Sequence, residues 1–170
     1  MTEPLAVVSQ ARWPDAGDRE VPQIPGFVVS SFNPLVAEVA ERCLRQVYGE
    51  PPVPPDAGRS LATVVVSASG DLASAQHVAR TVDSGSRVGP LMFFQSVPNS
   101  IAGHVAARWG LGGPVVCLSP VGDPMADGLA QAALLIEDGD ATAALVVLVE
   151  QSPVVDQQAA AAAVLVDGRA

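Results

Sequence analysis

The sequence predicts an α/β fold, with a mixed, mostly parallel sheet covered by helices. Three observations carry this. Short apolar runs rich in Val, Leu and Ala (LATVVVS, VVCLS, AALVVLV and AAAAVLV) show no apolar/polar alternation, as expected of strands buried on both faces. Segments with apolar residues at helical spacing lie between them. Gly- and Pro-rich stretches punctuate the boundaries.

The elements follow in order. Leu5–Val8 reads as a strand, followed by a Pro/Asp/Gly-rich loop and a second extended piece, Gly26–Ser30. Asn33 followed by Pro34 reads as an N-cap with Pro at the first helical position. Leu35, Val36, Val39, Ala40, Cys43, Leu44 and Val47 then share a helical face until Gly49. Glu50–Ser60, with prolines at 51, 52, 54 and 55, reads as loop, and Leu61–Ser67 as a buried strand. Asp71 is expected to cap a helix whose apolar positions, Leu72, Ala75, Val78, Ala79 and Val82, share a face. After the loop 85–90 comes Leu91–Val97, then a helix from Pro98 to Trp109 ended by Gly110, with Gly103 as a close-packing glycine. Val115–Ser119 is expected as a strand. Asp123-Pro124 opens a helix to about Glu137, and Ala143–Val149 and Ala160–Val166 complete the sheet.

The 170 residues suit a single domain that buries roughly 70 % of its unfolded surface. Hydrophobic residues make up 49 % of the chain, yet the longest apolar run, Ala159–Val166, is too short to span a bilayer. The N-terminus lacks the pattern of a secretory signal, and Cys43 and Cys117 fall in a helix and a strand, so reduced thiols and a cytoplasmic location are expected. The net charge is −9 and every basic residue is Arg. This argues against nucleic acid or an anionic membrane as partner, and against this chain as the main docking face for an acidic protein. No phosphate-loop pattern or metal-ligand spacing occurs, so no metal or other cofactor is expected.

PNSIAGHVAARWGLGG at 98–113, the GLGGP turn, ALLIEDGDA, Glu150 at the end of its strand and the final AAAAAVLV strand occur in one order and register. Together they resemble the N-terminal half of a β-ketoacyl synthase over about residues 60–166. The resemblance implies half of a thiolase-like fold. In that family the nucleophilic Cys stands eight residues after the Pro of the turn. Counting from Pro114 reaches Gly122, in PVGDPMADG where catalytic members read T-A-C-S/T-S-G. Without a thiolate there is nothing to take up the acyl group. The family's two catalytic histidines lie in a second half that does not follow here. His77 and His104 lie upstream and read as structural, and Cys117 as an apolar filler.

Ketosynthase-like partners without the Cys are chain length factors, and the chain resembles a shortened one. The resemblance implies a non-catalytic subunit of a ketosynthase heterodimer in type II polyketide biosynthesis. The catalytic ketosynthase would then supply the Cys and both His, and acyl carrier protein would dock mainly on that partner. Phe93, Phe94, Gln95, Val97, Val116, Leu118 and Met125 are the implied tunnel or interface positions, with ordinary core as the competing reading for the aromatics. Asp123 reads as an N-cap rather than an acid. Two alternative functions stand beside this one: a purely structural stabiliser of a ketosynthase, and a stand-alone malonyl decarboxylase or acyl hydrolase.

Overall fold

The computed structural model describes residues 5–152 and 159–168. Five strands, β1 (Ala6–Trp13), β2 (Leu61–Val66), β3 (Val115–Leu118), β4 (Ala143–Glu150) and β5 (Ala160–Asp167), form one sheet in the order β1-β5-β4-β2-β3. β2 runs parallel to β3 and β4, whereas β5 is antiparallel to both β4 and β1. The sheet is therefore mixed. Its helices are α1 (Phe32–Tyr48), α2 (Pro55–Gly58), α3 (Leu72–Asp83), α4 (Pro90–Gln95), α5 (Pro98–Trp109) and α6 (Pro124–Glu137).

The non-alternating strands are explained by two cores, one on each face of the sheet. Leu61, Val65, Leu145, Val147 and Leu165 point toward α1 and α5, where they meet Leu35, Val39, Leu44, Ile101 and Trp109. Ala62, Val64, Val66, Ala144, Val146 and Val166 point the other way, toward Ala132 and Leu135 of α6. Each fully buried Leu, Ile or Val contributes roughly 1.5–3 kcal/mol of transfer free energy.

Two glycines let backbone approach backbone or side chain closely. At Gly113 a Cβ would lie 2.5–2.7 Å from the backbone of Leu61 and Ala62. The GLGGP turn thus docks on the start of β2, where Gly112 N–H donates to Gly58 O at 2.8 Å and Gly113 N–H to Leu61 O at 3.2 Å. At Gly128 a Cβ would meet Val146 Cγ1 at 2.7 Å and Val66 Cγ2 at 2.9 Å, so α6 sits directly on the sheet there.

Several sequence expectations are corrected. The first strand runs on to Trp13, because Ala11–Trp13 still pair with Ala163–Ala161 of β5. Gly26–Ser30 forms no strand, only a bridge between Ile24 and Phe27. Asn33 is not a cap. Ser31 takes that place without a side-chain bond, and the buried Asn33 instead donates from Nδ2 to Gln95 O at 3.0 Å. Residues 50–60 contain α2, and Leu91–Val97, to which the sequence assigns no element, is largely the helix α4. Gly103 is exposed, and a Cβ there would have no neighbour within 4 Å among the described residues, so no close packing requires the glycine. The apolar positions of α3, whose burial the sequence leaves open, are only partly covered: Leu72 and Val78 are half-buried, and Ala75, Ala79 and Val82 face solvent.

Candidate functional site

Pro114 leaves the docked glycine turn directly into β3, which ends the sheet and pairs with β2 alone among the described residues. Four residues later the chain turns at Pro120–Asp123 into α6. Asp123 caps that helix, its Oδ1 accepting from Ala126 N–H at 2.8 Å, as the sequence predicts. Gly122 is exposed at the mouth of the helix. Asp127, in the first helical turn, reaches back to the loop. Its Oδ2 accepts from Val121 N–H at 2.7 Å and from Gly122 N–H at 2.9 Å. Val121 is fully exposed. Sequence reasoning missed Asp127, although an acid five residues after the glycine and in the first helical turn is a readable anchor for such a loop.

The implied tunnel residues separate into two groups. Val116, Leu118 and Met125 pack against the α6-side core. Met125 also lines an open groove of about 440 Å³ with Gln10, Arg12, Ala162 and Val164, between α6 and the strands β1 and β5. Phe93, Phe94, Gln95 and Val97 lie at the junction of α4 and α5. Phe93 is 79 % and Phe94 55 % exposed, which removes the reading of both as ordinary core. Phe94 faces Phe27 at 6.2 Å between ring centroids, and Phe27 meets His104 edge-on at 5.9 Å. Gln95 is buried and engaged, its Oε1 accepting from Val28 N–H and its carbonyl from Asn33. Val97 is half-buried at the cap of α5. Exposed Val28, Val82 and Leu91, not anticipated from sequence, add to the apolar surface carried by α3, α4 and the loop before α1.

Apart from Cys43 in α1, the one thiol among the described residues is Cys117. Cys117 is half-buried in β3, and burial pushes its thiol above the ordinary value. His77 lies on α3 and His104 on α5. At the C-terminal ends of β2 and β4 lies a satisfied polar network. Gln151 Nε2 donates to Ser30 and Ser31 Oγ, Ser30 Oγ donates to Asp71, and Asp71 caps α3 through Ser74. Its bonds are internal and structural. Among the described residues no group of His, Cys, Asp or Glu is arranged to hold a metal ion, and no helix is long and apolar enough to cross a membrane.

This arrangement of glycine turn, short strand, capped helix and long paired strand falls within one family model. The beta-ketoacyl synthase N-terminal domain matches residues 53–163. The chain belongs to that family. Solved structures agree in fold. A chain of the ketosynthase (ApeO) in complex with its chain length factor (ApeC) from Xenorhabdus doucetiae superposes with TM-score 0.71 at 21 % identity, over 96 % of this chain and 78 % of that one. The ishigamide ketosynthase/chain length factor gives 0.70 at 19 % identity, over 85 % and 45 %. A β-ketoacyl synthase from Burkholderia phymatum gives 0.67 at 16 %, over 90 % and 46 %. The ketosynthase N-terminal fold of this chain is thus thiolase-like, and it spans less than half of the latter two chains. No curated protein matches the chain in sequence.

Proposed function

We propose that the chain, read as one ketosynthase N-terminal-like domain, is a shortened chain length factor. It is the non-catalytic subunit of a ketosynthase heterodimer, and it shapes the acyl tunnel in type II polyketide biosynthesis. The observation that carries the reading is Gly122, at the helix mouth where catalytic relatives place their Cys. The partner would supply the Cys and both His, and would be the main docking face for acyl carrier protein.

Two further features support a subunit role. β3 ends the sheet with its outer edge unpaired among the described residues, so a second sheet can continue it. Phe93, Phe94, Leu91, Val82 and Val28 expose apolar surface of the kind that marks a protein interface. A matched chain from a ketosynthase–chain length factor complex is covered over 78 %, so it is only modestly longer than this one.

Chain length is then a steric quantity, since one extension too many overpacks the tunnel end at about 1–3 kcal/mol per crowded group. The test is co-production with a ketosynthase that retains Cys and both His, with product length measured for Phe93→Ala, Phe94→Ala and Val97→Ala. The expected result is an intact complex releasing products longer by one or more two-carbon units. Unchanged products from an intact complex for all three variants would leave a purely structural stabiliser. Turnover of malonyl or acyl thioesters by the chain alone would replace both with an enzyme.

A further inference from the structure

The turn at 120–123 faces solvent, yet it is held by more hydrogen bonds than its exposure requires. Two successive backbone N–H groups, Val121 and Gly122, converge on one oxygen, Asp127 Oδ2, at 2.7 and 2.9 Å. Asp127 is itself fixed by the helix, its N–H donating to Asp123 O at 2.9 Å. A Cβ added at Gly122 would stand 3.6 Å from Asp127 Oδ1 and 3.9 Å from Oδ2. Convergent N–H groups at the start of a 14-residue helix are the donors an anion would take up. Here a carboxylate from the same helix already sits on them. An acyl group carried on residue 122 develops negative charge on its carbonyl oxygen, and that oxygen needs free donors near by. Two adjacent backbone donors, Val121 and Gly122 N–H, are occupied, and the occupant is a carboxylate.

We propose that Asp127 is the positioning residue of this turn, a built-in anion that fills the seat at position 122 and excludes an acyl oxyanion from it. The inactivity of the position is thus encoded twice, by Gly122 and by Asp127. Replacing the glycine alone leaves a thiol beside a carboxylate, with the Val121 and Gly122 N–H groups still engaged by Asp127. The inference rests on the reading of position 122 as the family's nucleophile position, and it does not depend on pairing with a ketosynthase.

The test compares Gly122→Cys with Gly122→Cys/Asp127→Asn in the full chain. Two quantities are read: the pH dependence of alkylation by iodoacetamide, and acylation by p-nitrophenyl hexanoate. In the acylation the thiolate attacks the ester carbonyl, a C–S bond forms, and the C–O bond breaks to release nitrophenolate. The double variant is expected to titrate about 0.7 unit lower, the size of a like charge removed from about 4 Å in water, and to acylate at least about tenfold faster. Equal thiol titration and equal acylation rates in the two variants would overturn the proposal. A separate reading uses hydrogen exchange in the otherwise unaltered chain. Asp127→Ala should speed exchange at Val121 and Gly122 by about tenfold or more while the middle of α6 stays protected. Unchanged exchange at those two amides would also overturn it. If Asp127→Ala does not fold, Asp127→Ser carries the same comparison.

Discussion

Glu41 gathers more charge-assisted bonds than any other carboxylate among the described residues. Arg108 donates to it through Nε and Nη2 at 2.9 Å, Arg45 through Nε at 2.8 Å, and Trp109 through Nε1 at 2.9 Å. These bonds, chiefly those from Arg108, hold its carboxyl down to about 2 despite the opposing effect of burial. A depressed carboxyl stabilises the fold above its unfolded value of 4.5, and that stability is lost as pH falls toward 2. Glu41→Gln should therefore lower stability at pH 7 by about 1–2 kcal/mol after allowance for solvent screening at the half-exposed arginines. The difference between variant and parent in urea midpoint should shrink to nothing between about pH 4.5 and pH 2. Residues like this were not legible in the sequence, because Arg108 and Glu41 are 67 positions apart. The caps Asp71 and Asp123 were legible, because each bonds a residue three positions on. Asn33 misled for the opposite reason: its side chain looks like a cap locally, and a distant carbonyl at Gln95 claims it.

Among the elements, strands β2 and β4 and helices α1, α5 and α6 could be read from periodicity and end signals, since each has a long pattern and a clear stop. The short helix α4 could not. Six residues hold too little period to distinguish a helical turn from an extended aromatic run. For α3 the helix was legible and its environment was not, because a stripe of apolar residues looks the same whether this chain or another one covers it. The seat of α6 is a sharper matter. Gly128→Ala places a methyl group against Val146 and Val66, stiff side chains in the middle of the sheet. The gain in helix propensity, about 1 kcal/mol, is outweighed by overpacking, and a net loss of about 1–2 kcal/mol is expected from denaturation midpoints. Combining it with Val146→Ala should cost less than the sum of the two single changes. Strict additivity in that double-mutant cycle would show that the contact is not there.

Over the whole molecule, the α/β class was visible in the sequence, because doubly buried strands leave a composition that few other folds require; that composition left a parallel and a mixed sheet both open, and the antiparallel β5 decides for the mixed one. Which surfaces stay open was not visible, including those around Phe93 and position 122. The exposed apolar residues of α3 and α4 should make the isolated chain self-associate at micromolar concentration. Leu91→Ser with Phe93→Ser should raise the monomer fraction in sedimentation velocity while moving the thermal midpoint by no more than a few degrees. A parent chain that is already monodisperse would contradict this. Sheet order has a further consequence, for synthesis rather than for the finished fold. β1 pairs only with β5 among the described residues, Ala6 opposite Asp167, so β1 leaves the ribosome and waits for β5. At roughly 5–20 residues per second that wait is on the order of ten to thirty seconds. Over that interval β1 is a loose ribbon with apolar side chains at Val7, Val8 and Trp13. The nascent chain is then most open to capture by chaperones or by a partner assembling during translation.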